Sequence, residues 1–187
     1  MISNQLVEIT AEEYGIELDI RYAKEDNITG KPLYKRPVCF LHENAAQLLK
    51  ESVRLAKRHE LKIKIFDAFR PKEVQQAMWN HTPDPEFLSN PETGSCPHCR
   101  GVAIDLTLLD KNGVELDMGT GFDAFTPLSH HDNKEISEEA HRNRLMLLGI
   151  MIMSGWDSYK NEWWHYQLFN PRSYQIFTDK EAGTEML

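Results

Sequence analysis

Eight histidines in 187 residues exceed what packing needs, and two short segments place them beside acids. His98 and Asp105 flank Cys99-Arg100-Gly101-Val102-Ala103-Ile104, and Glu162 precedes His165 by three positions. Hydrolytic zinc sites use three N or O ligands, keep one position open for water and set a carboxylate nearby to take that water's proton. His98, Asp105 and His165 can supply the ligands and Glu162 the base. Parity limits how they meet. On one regular strand Glu162 and His165 would face opposite sides, so Glu162 must lie in the loop before a strand that starts near His165. By the same reasoning the chain must kink at Gly101 for His98 and Asp105 to converge. Spacing alone leaves a second reading open, hydrogen-bonded histidines beside solvated acids.

The elements that must position these residues are legible from periodicity. From Leu41 to His59, Ala45, Leu48, Leu49, Ser52, Leu55 and Ala56 share one helical stripe, with charged residues opposite. Lys62-Ile63-Lys64-Ile65 alternates as a half-buried strand and runs into Asp67-Ala68-Phe69-Arg70-Pro71. Pro71 suits the first position of a helix that turns Val74, Ala77 and Met78 inward. Residues 81–95 carry three prolines and little periodicity, which predicts a long loop of the kind that serves function. Val102–Leu109 reads as a buried strand, Asp110-Lys111-Asn112-Gly113 as a turn, and the residues beyond as a return strand. Ser137 followed by Glu138 and Glu139 starts a helix that continues through Leu145, Leu148 and Met151 to about Gly155. Trp163 to Phe169 reads as a final core strand. Helices and short strands without regular βαβ alternation predict an α+β fold: one domain over residues 1–187, a mostly antiparallel sheet flanked by helices, and the metal site in a cleft on the sheet.

Composition narrows the function classes. Lys and Arg total 21 against 29 Asp and Glu, a net charge of −8, which argues against nucleic acid or an anionic membrane as the main partner. No run of about 18 apolar residues is present to span a bilayer. The opening MISNQLVEITAEEYG has neither a basic n-region nor an apolar h-region, so no secretory signal is expected. Three cysteines fit a reducing, cytoplasmic compartment better than a disulfide framework.

Cys96-Pro97-His98-Cys99-Arg100-Gly101-Val102-Ala103-Ile104-Asp105 resembles the Ser-x-His-x-x-Gly-x-Ala-x-Asp signature of the D-alanyl-D-alanine dipeptidases, zinc peptidases grouped with the D,D-carboxypeptidases, lysostaphin and the hedgehog-like proteins. The resemblance extends in order through Tyr22-Ala23 and Asp26 to Pro32, Asp67-Ala68-Phe69-Arg70-Pro71, Met118-Gly119 with Phe122-Asp123, Arg142-Asn143-Arg144 and Glu162-Trp163-Trp164-His165. It implies one zinc ion per chain on His98, Asp105 and His165, with Glu162 as general base. It further implies Arg70 as the oxyanion partner, and Asp123 and Tyr22 as the group that binds the free ammonium of a small dipeptide. The implied reaction is hydrolysis of D-alanyl-D-alanine to two D-alanines. Two settings fit it, recycling of cell-wall D-alanine and depletion of the dipeptide in glycopeptide resistance. Trp163 and Trp164 read as core and pocket wall, and His130 and His131 as solvated. His42, His59, His81 and His141 carry no chemistry.

One departure from that signature raises an alternative. Cysteines replace the serines on either side of His98, creating Cys-Pro-His-Cys, the active-site tetrapeptide of oxidising thioredoxin-fold catalysts. A redox pair of this kind needs its first thiol at a helix N-terminus, whereas the residues after Cys99 alternate as a strand. In an extended segment Cys96 would point with His98 toward substrate or metal. A third reading is a zinc-bearing binding module without catalysis, against which the presence of both Glu162 and Arg70 counts.

Overall fold

The period-2 and period-3.6 segments become a sheet and its covering helices. The computed structural model describes residues 5–187. In chain order its strands are β1 (Leu6–Glu8), β2 (Glu17–Leu18), β3 (Phe40–His42), β4 (Lys62–Asp67), β5 (Ala103–Leu109), β6 (Asp157–Ser158) and β7 (His165–Gln167). The α-helices are α1 (Ala11–Tyr14), α2 (Glu43–Lys57), α3 (Lys72–His81), α4 (Glu138–Met153) and α5 (Asp179–Ala182). The main sheet has the order β2-β4-β5-β7-β6 and is antiparallel except for the β2–β4 pair, while β1 and β3 form a separate antiparallel pair. This is the expected α+β architecture.

β5 lies at the centre and every one of its residues is buried. Ile104, Leu106 and Leu108 alternate with Ala103, Asp105 and Thr107, so one face of the strand is apolar and the other carries the polar groups. Ile65 sits opposite Leu106 and Ile63 opposite Leu108, which continues the apolar face into β4. Helix α2 packs on β4 and on α4, and Trp156 Nε1 donates to Ser52 Oγ at 3.0 Å between them. Ser52 sits on the apolar stripe of α2 because that indole needs an acceptor.

Several boundaries differ from the sequence reading. α2 begins at Glu43, and His42 caps it, its ring Nδ1 accepting from Asn44 N at 3.1 Å. Pro71 is the cap of α3 rather than its first residue, with ψ 146°. Ala77 is exposed and Gln75 takes the inward position, because Gln75 is held from both sides by Arg70 and Ser89. No return strand follows β5. The Asp110 carboxylate accepts from Asn112 N at 2.8 Å and Val114 N at 2.9 Å, folding the turn on itself and leaving an isolated Leu109–Glu115 bridge. The final strand shortens to three residues, with Trp163 and Trp164 buried in the turn before it and Phe169 exposed. Ser137 caps α4 as expected, accepting from Ala140 N at 3.0 Å. Among the described residues no helix is long and apolar enough to cross a membrane.

Candidate active site

Sheet register assembles the first part of the site. Asp67 on β4 lies opposite Asp105 on β5, and Asp105 lies opposite His165 on β7. Residues directly opposite one another share a face, so three polar side chains form one row across the sheet. A bulge between Ile65 and Asp67 takes up Phe66, and the extra residue brings Asp67 into that row. Glu162 sits in the turn before β7, as parity required, and its carboxylate comes within 3.7 Å of His165 Nδ1.

His98 arrives from the other side of Gly101. A 3₁₀ turn, His98–Arg100, ends at Gly101 in the left-handed conformation at φ 65°. A Cβ there would lie 2.4 Å from Leu6 Cδ2 and 3.0 Å from His42 N, so both the turn and the close approach demand glycine. The kink is therefore sharper than a bent strand. It sets His98 Nε2 3.3 Å from Asp105 Oδ2 and 3.1 Å from His165 Nδ1, which is itself 3.1 Å from Asp105 Oδ1.

These donors fit a metal cation. His98, Asp105 and His165 each offer one ligand atom, all within 4.8 Å of one another, and all three residues are buried. His98 Nδ1 lies 2.7 Å from the carbonyl oxygen of Ala68, which can only accept, so Nδ1 carries the proton and a neutral ring presents a bare Nε2 lone pair to the cluster. A lone pair converging with a carboxylate in a buried site calls for a positive charge between them. Imidazole and carboxylate together suit zinc or a similar divalent ion. Burial alone would raise the Asp105 carboxyl, but the adjacent His98 and His165 hold it below the usual carboxylate range.

The cluster opens into a cavity of about 310 Å³, at the small end for ligand pockets. Glu86, Asp105, Asp123 and Glu162 line it against a single guanidinium, Arg70. Such a lining favours cations, whether a metal ion or an ammonium. Arg70 is itself buried and held on several sides. Nε donates to Asp67 Oδ2 at 2.9 Å and Nη1 to Gln75 Oε1 at 3.0 Å, with Nη2 3.6 Å from Asp105 Oδ2. Its Cζ stands 4.8 Å from the centre of the Tyr22 ring. Burial opposes the charge, yet the surrounding acidic groups, Tyr22 and Asp67 foremost, keep Arg70 protonated. Tyr34 OH donates to Asp67 Oδ1 at 2.9 Å and fixes that carboxylate in turn. Glu162 is raised well above its ordinary value by burial and by Asp105 and Asp123, with Arg70 opposing.

Asp123 reaches the cavity from the loop between β5 and α4, in the left-handed region at φ 58°. Tyr22 OH donates to its Oδ2 at 2.8 Å. Burial and the nearby Asp105 raise Asp123 to about 7, against the Tyr22 hydrogen bond and Arg70. Phe122 anchors the loop beside it, stacked on Phe66 at 4.8 Å and edge-on to Trp164 at 5.6 Å. Arg144 of α4 pins the same loop from below, donating to the carbonyls of Met118 at 2.7 Å, His130 at 2.8 Å and Leu128 at 2.9 Å.

Cys96 does not join the site. It takes φ 45° instead of the expected extended conformation, is buried outside the cavity, and its Sγ donates to Asn90 O at 3.3 Å. A hydrogen bond from the Cys99 thiol, helped by Arg100, Arg70 and Arg172, lowers Cys96 to about 7, while the same bond and burial raise Cys99 against the arginines. Both thiols are free and buried, and Cys96 precedes only the short 3₁₀ turn that contains Cys99, so the pair cannot present a sulfur to a partner disulfide as an oxidoreductase does. His130 is half-buried rather than solvated, 3.1 Å from Glu86 Oε1. Gln75 and Gln167 at the site were not singled out in the sequence, and Asp67 stood there only as the first residue of the Asp67-Ala68-Phe69-Arg70-Pro71 motif, without a role of its own. His165-x-Gln167 alternation on one strand face was the signal for Gln167.

A family described as D-Ala-D-Ala dipeptidase matches residues 2–180. The D-alanyl-D-alanine dipeptidase of Escherichia coli (strain K12) is 39% identical over 178 residues, covering 95% of this chain and 92% of that protein. Those of Enterococcus faecium and Enterococcus faecalis are 34% and 32% identical, covering 89% and 84% of this chain and 94% and 88% of their own. With an identity this extended and a buried donor cluster in the corresponding signature, the chain belongs to the D-Ala-D-Ala dipeptidase family and is a peptidase.

Proposed function

We propose that this protein hydrolyses D-alanyl-D-alanine to two D-alanines in the cytoplasm, using one zinc ion held by His98, Asp105 and His165. The observation that carries the reading is convergence: the donor cluster, Glu162, Arg70 and the Tyr22–Asp123 pair all border one small cavity. When bound, the ion supplies Lewis-acid polarisation of the scissile carbonyl and makes water a nucleophile at neutral pH. Glu162 takes the proton of the attacking water on its carboxylate and delivers it to the leaving amine nitrogen. Arg70, already fixed by Asp67 and Gln75, meets the developing oxyanion without having to reorganise. The Asp123 carboxylate, steadied by Tyr22, binds the substrate's free ammonium. An N-acylated substrate would leave Asp123 unpaired, which selects against it. Residues 1–187 act as one domain in this reading, since a single hydrophobic cluster runs from Ile9 to Met186.

Metal analysis combined with D-alanine release tests the proposal, using D-Ala-D-Ala, L-Ala-L-Ala and N-acetyl-D-Ala-D-Ala. About one zinc per chain with cleavage of the free D,D-dipeptide alone is the expected result. Cleavage of the acetylated compound at an equal rate would overturn the ammonium assignment, and zinc without any cleavage would return the binding-module reading.

A further inference from the structure

We propose that Gln167 is a positioning residue that fixes the ring of His165 and makes Nδ1 its ligating nitrogen. The inference rests on reading His98, Asp105 and His165 as a metal site. His165 and Gln167 are alternate residues of β7 and share its face. The residue opposite Gln167 on β5 is Ala103, whose small side chain leaves room for the glutamine to fold back along its own strand. Its Oε1 lies 3.1 Å from His165 Nε2. An amide oxygen only accepts, so Nε2 must carry the proton and Nδ1 is left bare. That bare nitrogen is the one facing Asp105 Oδ1 at 3.1 Å and His98 Nε2 at 3.1 Å.

The two histidines are thus set by opposite means. His98 is held through Nδ1 by a main-chain carbonyl, a partner no substitution removes, and ligates through Nε2. His165 is held through Nε2 by a side chain and ligates through Nδ1, so its orientation depends on the residue at position 167. Partners of this kind contribute 10- to 100-fold in metal affinity. Gln167 also lines the cavity.

The test compares Gln167→Leu, Gln167→Asn and Gln167→Glu with the unaltered protein, all stripped of metal and then titrated with zinc against a chromophoric chelator. Nitrogen-15 NMR of the metal-free proteins reads the His165 tautomer, and thermal unfolding without metal checks that each is folded. Gln167→Leu and the too-short Gln167→Asn should bind zinc roughly 10- to 100-fold more weakly and lose the fixed Nε2–H tautomer. Gln167→Glu should match the unaltered protein or bind more tightly, because a carboxylate is the stronger acceptor. Unchanged zinc affinity in a folded Gln167→Leu would overturn the proposal alone. Absence of zinc binding by the unaltered protein would overturn the metal reading and this inference with it.

Discussion

Glu162 and His165 stand three residues apart, and the duties proposed for them are ones that single substitutions distinguish. Glu162→Ala removes the proposed base and keeps the ligands, so turnover should fall by at least about 100-fold while zinc content stays near one per chain. His165→Ala should lose the metal. Asp123 offers a pH-resolved test. Its folded-state pKa of about 7 lies above the ordinary 3.8, so ionisation on passing from pH 4 to pH 7 weakens the fold. Stability from this group is complete below pH 4 and gone above pH 7. Asparagine tolerates the left-handed backbone at φ 58° and keeps an acceptor for Tyr22. Asp123→Asn should therefore match the parent at pH 4 and exceed it by on the order of 1 kcal/mol at pH 8, a discounted figure because the side chain borders solvent in the cavity. Its KM for the free dipeptide should rise at least tenfold. Thermal unfolding across pH, with chelator present, and steady-state kinetics read the two effects.

Arg144 shows how an element far from the chemistry holds it. Three carbonyls of the Asp123 loop, that of Met118 buried and those of Leu128 and His130 half-buried, end on one guanidinium, so the loop has the shape of its partner. Arg144→Lys keeps a charge but cannot satisfy three acceptors in a fixed fork. We expect a loss of about 2–3 kcal/mol from the stranded carbonyls, with KM affected more than metal content, measured by denaturant unfolding and zinc analysis. Gly101 acts through the turn that carries His98. Gly101→Ala forces a side chain into Leu6 and His42 N at φ 65°, and the strain falls on the turn that carries His98. Reduced stability and weaker zinc binding should appear together, and full zinc affinity in a folded Gly101→Ala would contradict this account. The turn was legible as a need for a kink, since His98 and Asp105 could not otherwise meet. Its 3₁₀ form was not, because the main-chain contact from His42 N to Gly101 O at 2.7 Å joins segments far apart in the chain.

At the scale of the molecule, the proposed metal binding would couple to folding, since the donors converge only in the native state. A ligand at 100 times its dissociation constant adds about 2.7 kcal/mol to the stability of the native state. For a chain of this size that corresponds to a rise of roughly 5–10 °C in melting temperature. The metal-free protein should melt in one transition that zinc shifts upward by this amount, whereas His165→Ala should show no shift; scanning calorimetry with and without chelator decides it. The alternation that makes β4 and β5 strands depended only on local residue type and period, and so could be read from the chain, whereas Arg70, Tyr22 and Asp123 were singled out only by the resemblance to a family of peptidases. Periodic burial follows from strand and helix geometry alone. Which way each side chain points at the site was decided by tertiary contacts. Cys96, two residues before His98, would share its direction in an extended segment but turns away because its backbone is left-handed. Gln75, an ordinary polar residue on a helix, became buried because Arg70 and the Ser89 carbonyl needed partners. Asp67 entered the row of Asp105 and His165 through a bulge that no local pattern announces. Local sequence sets which groups are available, and long-range hydrogen bonding and register determine which of them meet.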